Sequence, residues 1–215
     1  MSPQEQLENY HFCQILCKRA MEHIKTSIHD YLEELALNGE KPTVQSIETR
    51  IKTFDSAKEK CRKRKIEMAV DSMLTDLRDI AGIRIITLYL DDVYRVADAI
   101  EARLRINIPK DGIKDYIKNP KDNGYRSLHL IAKKELFFNG KTYIVPVEIQ
   151  IRTRAMHLWA ALEHDLVYKK EDDPSEIREG DYSEEIKERF SNMATYLSEV
   201  DADANKLHRE AVAKP

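Results

Sequence analysis

Apolar residues recur at helical spacing from the start of the chain: Leu7, Phe12, Ile15, Leu16, Ala20, Ile24, Ile28, Tyr31, Leu32 and Leu35. Ser2 is placed to cap that run and Pro3 to open it, while Asn38-Gly39 and then Pro42 close it, so the spacing predicts a helix over 3–37. Residues 43–52 alternate instead, with Val44, Ile47, Thr49 and Ile51 set against Glu48, Arg50 and Lys52. That is a strand, followed by a helix to about residue 67 capped by Thr53 or Asp55. A short helix near 72–79 leads into a strand through AGIRIITLYL, and 91–105 return to helical spacing. Pro109, Gly112 and NPKDNG (119–124) mark loops. Strands over 125–135 and 141–153 flank Asn139-Gly140, a hairpin signal. Helices over 154–169 and 182–212 enclose the charged loop EDDPSEIREGD, 171–181.

These elements describe an α/β (α+β) fold, a mixed sheet of about five strands flanked by helices, with long N- and C-terminal helices. The expected organisation is a helical extension over 1–42, a catalytic domain over 43–170 and a second helical extension over 171–215.

Charge changes this picture little. Lys plus Arg number 35 against 38 Asp plus Glu, a net charge of −3. An anion site must therefore come from local clustering. The three cysteines, Cys13, Cys17 and Cys61, are too few for a disulfide framework and fit a reducing cytoplasm. Cys13 and Cys17 share a helix face; buried small hydrophobes is the better reading, because further metal ligands are missing. No signal peptide and no membrane-length apolar stretch is visible.

The sharpest clue is VEIQIRT, 147–153. One face of that strand is apolar, and the other carries Glu148, Gln150 and Arg152 in a row. A solvated face is the ordinary explanation. Three other segments offer matching groups. In DLRDIAGIRIIT, Asp79 and then Gly82 precede a strand, and Asp79 with Glu148 could form a magnesium pair completed by phosphates. In TRIKTFDSAKEK, Arg50, Lys52, Ser56 and Lys60 flank a helix N-terminus, an anion cradle. In KDYIKNPKDNGYRSLHL, Tyr125 offers a π-face, Asn123 a base edge and Lys121 a cation. Together they point to nucleotide substrates and phosphoryl-type transfer, without a P-loop or a dinucleotide-binding glycine motif. The basic run KEKCRKRK, 58–65, is either a solvated helix face or a nucleic-acid patch.

DIAGIRI, KDYIKNPKDNGYRSLHL, VEIQIRT and MHLWAALEHDLVYK occur in an order that resembles the synthetase domain of the RelA/SpoT family over roughly 43–170. The short length resembles its stand-alone small alarmone synthetases. The resemblance implies a nucleotidyltransferase-like fold and magnesium-dependent transfer of pyrophosphate from ATP to the ribose 3′-hydroxyl of GTP or GDP, giving pppGpp or ppGpp and AMP in stringent-response signalling. By motif position it implies Asp79 and Glu148 as metal-binding and catalytic acids. It implies Arg50, Lys52, Ser56, Lys60 and Arg84 around ATP, with the two arginines sandwiching adenine. Around the acceptor it implies Lys121, Asn123, Tyr125, His129, Gln150 and Arg152, with Tyr125 stacking on guanine. His164, Tyr168 and Lys169 would support the site.

The sequence departs from the family at Thr49, where Gly is common, and at Gly112, ahead of Lys114-Asp115, which leaves the choice between GTP and GDP open. His29-Asp30 and His164-Asp165 do not make a hydrolase, so synthesis without hydrolysis is expected. A homotetramer, with single-stranded RNA as a further candidate regulator, also follows from the resemblance. The alternatives are an RNA-binding or regulatory module on the same fold, or another nucleotidyltransferase. Asp79 and Glu148 argue against the first, since a binder has no use for metal carboxylates.

Overall fold

The computed structural model describes residues 1–38, 44–103, 106–168 and 184–213. Five strands form one sheet in the order β1-β2-β5-β4-β3: β1 Val44–Ile51, β2 Ala81–Thr87, β3 Ile113–Asp115, β4 Leu128–Phe138 and β5 Lys141–Thr153. The β2–β5 pair is parallel and the others antiparallel. Six α-helices complete the described fold: α1 Pro3–Leu37, α2 Phe54–Arg64, α3 Val70–Asp76, α4 Leu90–Asp98, α5 Arg154–Tyr168 and α6 Glu184–Val212.

The expected long first helix forms, and its cap is reciprocal. Ser2 Oγ accepts from Glu5 N at 3.2 Å, and Glu5 Oε2 accepts from Ser2 N at 2.6 Å. One face of α1 buries Tyr10, Cys13, Leu16, Cys17, Ala20, Met21, Ile24 and Ile28 in the same core as Ile83, Ile85, Leu130, Val147, Ile149 and Ile151. Truncating a fully buried residue such as Leu16 to Ala costs about 2–5 kcal/mol. The cysteines are core residues, as expected: burial pushes the Cys13 thiol up to about 12, and Cys17 and Cys61 upward as well.

Asn139 (φ 48°) and Gly140 (φ 77°) take the positive φ angles that a tight two-residue hairpin turn demands. Several boundaries differ from the sequence expectation, and one strand is added. Helix α2 ends at Arg64 and β2 at Thr87, both short of the expected ends. Helix α3 starts and ends earlier than 72–79. Helix α4 stops at Asp98 and continues as a π-helical turn over Ala99–Arg103. Strand β4 begins at Leu128 rather than 125, because Tyr125 and Ser127 carbonyls bond the loop amides of Lys121 and Tyr116. The three-residue β3 carries no alternation of its own and forms by pairing with β4. The charged loop over 171–181 lies outside the described residues. Among the described residues, no helix is long and apolar enough to cross a membrane.

Candidate active site

Residues directly opposite in a sheet share a face, so the register assembles the site. Gly82 pairs with Glu148, and Arg84 with Gln150. Arg50 pairs with Gly82, and Glu48 with Arg84. His129 pairs with Gln150, and Lys114 with His129. Two rows therefore cross one face: Arg50–Gly82–Glu148, and Glu48–Arg84–Gln150–His129–Lys114. The opposite face carries the apolar core.

A cleft of about 410 Å³ opens above β1, β2 and β5, lined among others by Arg50, Lys52, Asp79, Gly82, Arg84, Glu148 and Gln150. Lys52 N donates to Ile80 O at 2.9 Å, which brings the end of β1 beside Asp79. Thr53 Oγ1 then accepts from Ser56 N at 3.3 Å and caps α2, which aims Lys60 back across the same turn. Lys60 Nζ donates to Asp79 Oδ2 at 2.5 Å, and Lys52 Nζ lies 3.3 Å from the same oxygen. Burial pushes Asp79 up, but the two ammonium groups outweigh it and hold the carboxyl below its usual range. The other oxygen, Oδ1, is buried without a hydrogen-bond partner. A buried oxygen left unpaired normally costs free energy, so Oδ1 is suited to a cation. Glu148 is close enough for Asp79 to raise its pKa. No group of three or more His, Cys, Asp or Glu side chains with metal-binding geometry occurs among the described residues. A metal held here would rest on two carboxylates and take its other ligands from phosphates or water, the usual manner of magnesium.

Glu148 lies at the end of two hydrogen-bonded chains that both start at Arg152. In the first, Arg152 Nη2 donates to the Tyr125 hydroxyl at 2.5 Å. That hydroxyl lies 2.9 Å from His129 Nε2, and His129 Nδ1 lies 3.2 Å from Glu148 Oε1. In the second, Arg152 Nη2 donates to Gln150 Oε1 at 2.8 Å, and Gln150 Nε2 donates to Glu148 Oε2 at 2.8 Å. A neutral His129 protonated on Nδ1 satisfies every link, with Tyr125 donating to Nε2. Burial raises Glu148, yet His129 and Gln150 more than offset this and keep it ionised at neutral pH. Burial also lowers Arg152, which is only 5% exposed.

On the β1 side, Arg84 Nη1 donates to Glu48 Oε2 at 3.2 Å, a pairing the sequence did not announce. On the other side, Asn123 turns back on its own loop: its Oδ1 accepts from Tyr125 N at 3.1 Å and its Nδ2 donates to Glu163 at 3.2 Å. The Lys121 ammonium stands 4.7 Å from the Tyr125 ring centroid and 5.0 Å from that of Tyr116. Tyr116 meets the rings of Tyr125 and His129 edge-on. Only its place beside Lys114-Asp115 could have flagged it in the sequence. The structure thus joins Asp79, Lys52 and Lys60 in one cluster and Glu148, Gln150, Arg152, Tyr125 and His129 in another, with Arg50 and Arg84 on neighbouring strands. Ser56 is exposed at the start of α2. His164 is exposed on α5 and does not line the cleft, Tyr168 is the last residue of that helix, and Lys169 lies outside the described residues.

Known proteins resemble this chain in sequence and fold. The profile of the region found in RelA/SpoT proteins matches residues 49–173. GTP pyrophosphokinase YwaC of Bacillus subtilis is 35% identical over 86% of this chain and 85% of its own length. GTP pyrophosphokinase YjbM of the same organism is 29% identical over 90% of this chain and 85% of its own. The crystal structure of B. subtilis small alarmone synthetase 1 bound to its product pppGpp superposes with a TM-score of 0.81 at 27% identity, covering 96% of this chain and all of that one. Small alarmone synthetase 2 from B. subtilis gives 0.78 at 29% identity, covering 94% and 99%. By the matched region and by its likeness to YwaC over most of both chains, this chain belongs to the RelA/SpoT family.

Proposed function

We propose that the chain is a GTP pyrophosphokinase, a (p)ppGpp synthetase. It moves the terminal pyrophosphate of ATP onto the ribose 3′-hydroxyl of GTP or GDP and releases AMP. The observation that carries this reading is Glu148, ionised at the end of two hydrogen-bonded chains and lining one cleft with Asp79 and Gly82. The relatives' names and the pppGpp-bound likeness support the same chemistry.

The donor half lies over β1 and β2. Arg50 and Arg84 are diagonal neighbours on an antiparallel pair, a spacing of roughly 7–8 Å between backbones that suits a purine between two guanidinium planes. Lys52 and Lys60, which rest on Asp79, would turn to the phosphates, with Ser56 at the helix N-terminus beside them. The acceptor half lies over β4 and its preceding loop, with Tyr125 as the base platform and Lys121, Asn123, His129, Gln150 and Arg152 around it. Asp79 and Glu148 would hold Mg²⁺, which supplies charge neutralisation on the transferring phosphoryl groups. As the 3′-oxygen forms its bond to the β-phosphorus, the bond to the α-phosphate oxygen breaks and AMP leaves. Glu148 takes the hydroxyl proton. A carboxyl held below its usual range is a weak base, so positioning and charge carry most of the rate.

Three coarser expectations complete the reading. Three buried free thiols fit the cytoplasm. Exposed Tyr196, Val200 and Leu207 on α6 offer apolar surface for a homotetramer. Exposed Arg62 to Lys65 supports contact with single-stranded RNA. The test of function uses γ-labelled ATP, Mg²⁺ and GTP, GDP or GMP, with products resolved by anion exchange and mass. AMP and a guanosine nucleotide heavier by one pyrophosphate should appear, vanish on chelation, and fall about a thousandfold in Glu148→Gln. Absence of that product with every acceptor would remove the reading.

A further inference from the structure

The platform residue Tyr125 does not rest on the main core. Its ring belongs to a small separate cluster built from Trp159 and Ala160 of α5 and Ala194 of α6, with Phe190, Met193 and Leu197 of α6 packed around it. Tyr125 meets Trp159 edge-on, with centroids 6.3 Å apart. Trp159 is itself fixed from α6: its Nε1 donates to the Phe190 carbonyl at 3.0 Å, and the two rings meet edge-on at 5.8 Å. The residue before the platform is also seated on α6. Gly124 has φ +87°, and a Cβ there would come within 2.6 Å of the Ala194 Cβ. Beneath, Thr153 Oγ1 donates to the buried Asp201 of α6 at 2.6 Å, one residue beyond Arg152. On the donor side, α6 holds Asp91 and Tyr89 beyond the end of β2 through Arg209, Asn205 and His208. Among the described residues, however, it makes no hydrogen bond or ion pair with Arg50, Lys52, Ser56, Lys60 or Arg84.

We propose that α6 is a positioning element for the acceptor nucleotide alone, and that Ala194 and Trp159 set Tyr125 through the Gly124 seat and the Phe190 carbonyl. This rests on the synthetase reading and deepens it. Helix α6 lies beyond the matched family region, which ends at 173, so acceptor binding is tuned by a segment outside the shared motif. Trp159 is also the chain's single tryptophan, which makes the platform observable.

The experiment reads kinetics on wild type, Ala194→Leu and Trp159→Phe, and tryptophan fluorescence on wild type and Ala194→Leu, since Trp159 is the single tryptophan. Leucine at 194 fills the Gly124 seat. Phenylalanine at 159 keeps a ring but removes the donor, while the Phe190 carbonyl retains its helical partner, so this variant folds even if the first does not. Steady-state rates should show the acceptor KM raised about tenfold in Ala194→Leu and about fivefold in Trp159→Phe, with the ATP KM within about twofold. Trp159 fluorescence should respond to GDP but not to a non-hydrolysable ATP analogue, and the GDP response should weaken in Ala194→Leu. Product formation with silent Trp159 fluorescence, or KM values for both substrates rising together, overturns the positioning role and leaves the synthetase intact. Absence of product from the wild type overturns the reading beneath it.

Discussion

Gly82 separates what the fold needs from what the substrate needs. It stands between Arg50 and Glu148 on the polar face, where any side chain would project into the cleft. A Cβ there would lie 3.8 Å from the Arg50 carbonyl oxygen and 3.9 Å from that of Glu148, both ordinary contacts, and the backbone is not in the left-handed region. The protein alone therefore accepts alanine. Glycine within a strand is in fact about 0.5–1 kcal/mol less favourable than alanine. For a chain of this length that is about 2–4 °C per kcal/mol, so Gly82→Ala should melt at the wild-type temperature or up to about 4 °C above it. Catalysis should move the other way. A methyl in the notch keeps the phosphates from the floor, and about 1–3 kcal/mol of lost transition-state contact is a fall of about fivefold to about 150-fold in kcat/KM for ATP. Circular dichroism melting and initial rates on one preparation give both numbers. Wild-type kcat/KM in a folded variant would show that no substrate approaches Gly82. A melting point lowered by several degrees would show that the glycine serves packing instead.

Asp79→Asn should flatten the acid limb of the stability curve. Asp79 titrates below its ordinary value of 3.8 in the folded state, so its contribution is complete above that pH and is lost as pH falls through the lower folded value. Urea midpoints between about pH 2 and 7 should differ in slope below about pH 4, and equal slopes would refute the pairing with Lys52 and Lys60. The same variant should abolish turnover. Thr153→Val removes two bonds at once, the α5 cap to Met156 N at 3.1 Å and the donor to Asp201. It should cost about 2–3 kcal/mol, a drop of about 4–12 °C in Tm, and an unchanged melting curve would show that Asp201 finds another partner.

Much of this site was legible because strand periodicity is strict. A period of two puts Glu148, Gln150 and Arg152 on one face whatever the neighbours are, and Asn139-Gly140 names its own turn. Adjacency was not legible. Nothing local tells β5 to take β2 as its parallel neighbour across more than sixty residues, although that choice brings Gly82 and Arg84 to Glu148 and Gln150. Glu48 read as one more polar position on a strand and became the partner of Arg84. Asn123 read as a base-edge reader, and nothing in the sequence signalled that its amide also joins Tyr125 N to Glu163 of α5. The final helix read as a terminal extension, since its buried residues are alanine, aspartate and asparagine, which give no apolar signal.

The hairpin turn has a consequence for how this sequence can change over generations. From Asn139-Gly140 the β4–β5 ladder runs unbroken from Phe138–Lys141 to Leu128–Ile151, so the turn sets which residues face the substrates some ten positions away. Insertions confined to the tip, where Gly140 has nothing within 4 Å of its would-be Cβ, leave that phase intact. A single codon gained between Lys141 and Val147 would rotate every later position of the strand, sending Glu148, Gln150 and Arg152 into the apolar layer and Ile149 and Ile151 into the cleft. Lineages carrying this fold can lengthen the tip freely, yet within the strand they are restricted to substitutions or to gains and losses in pairs.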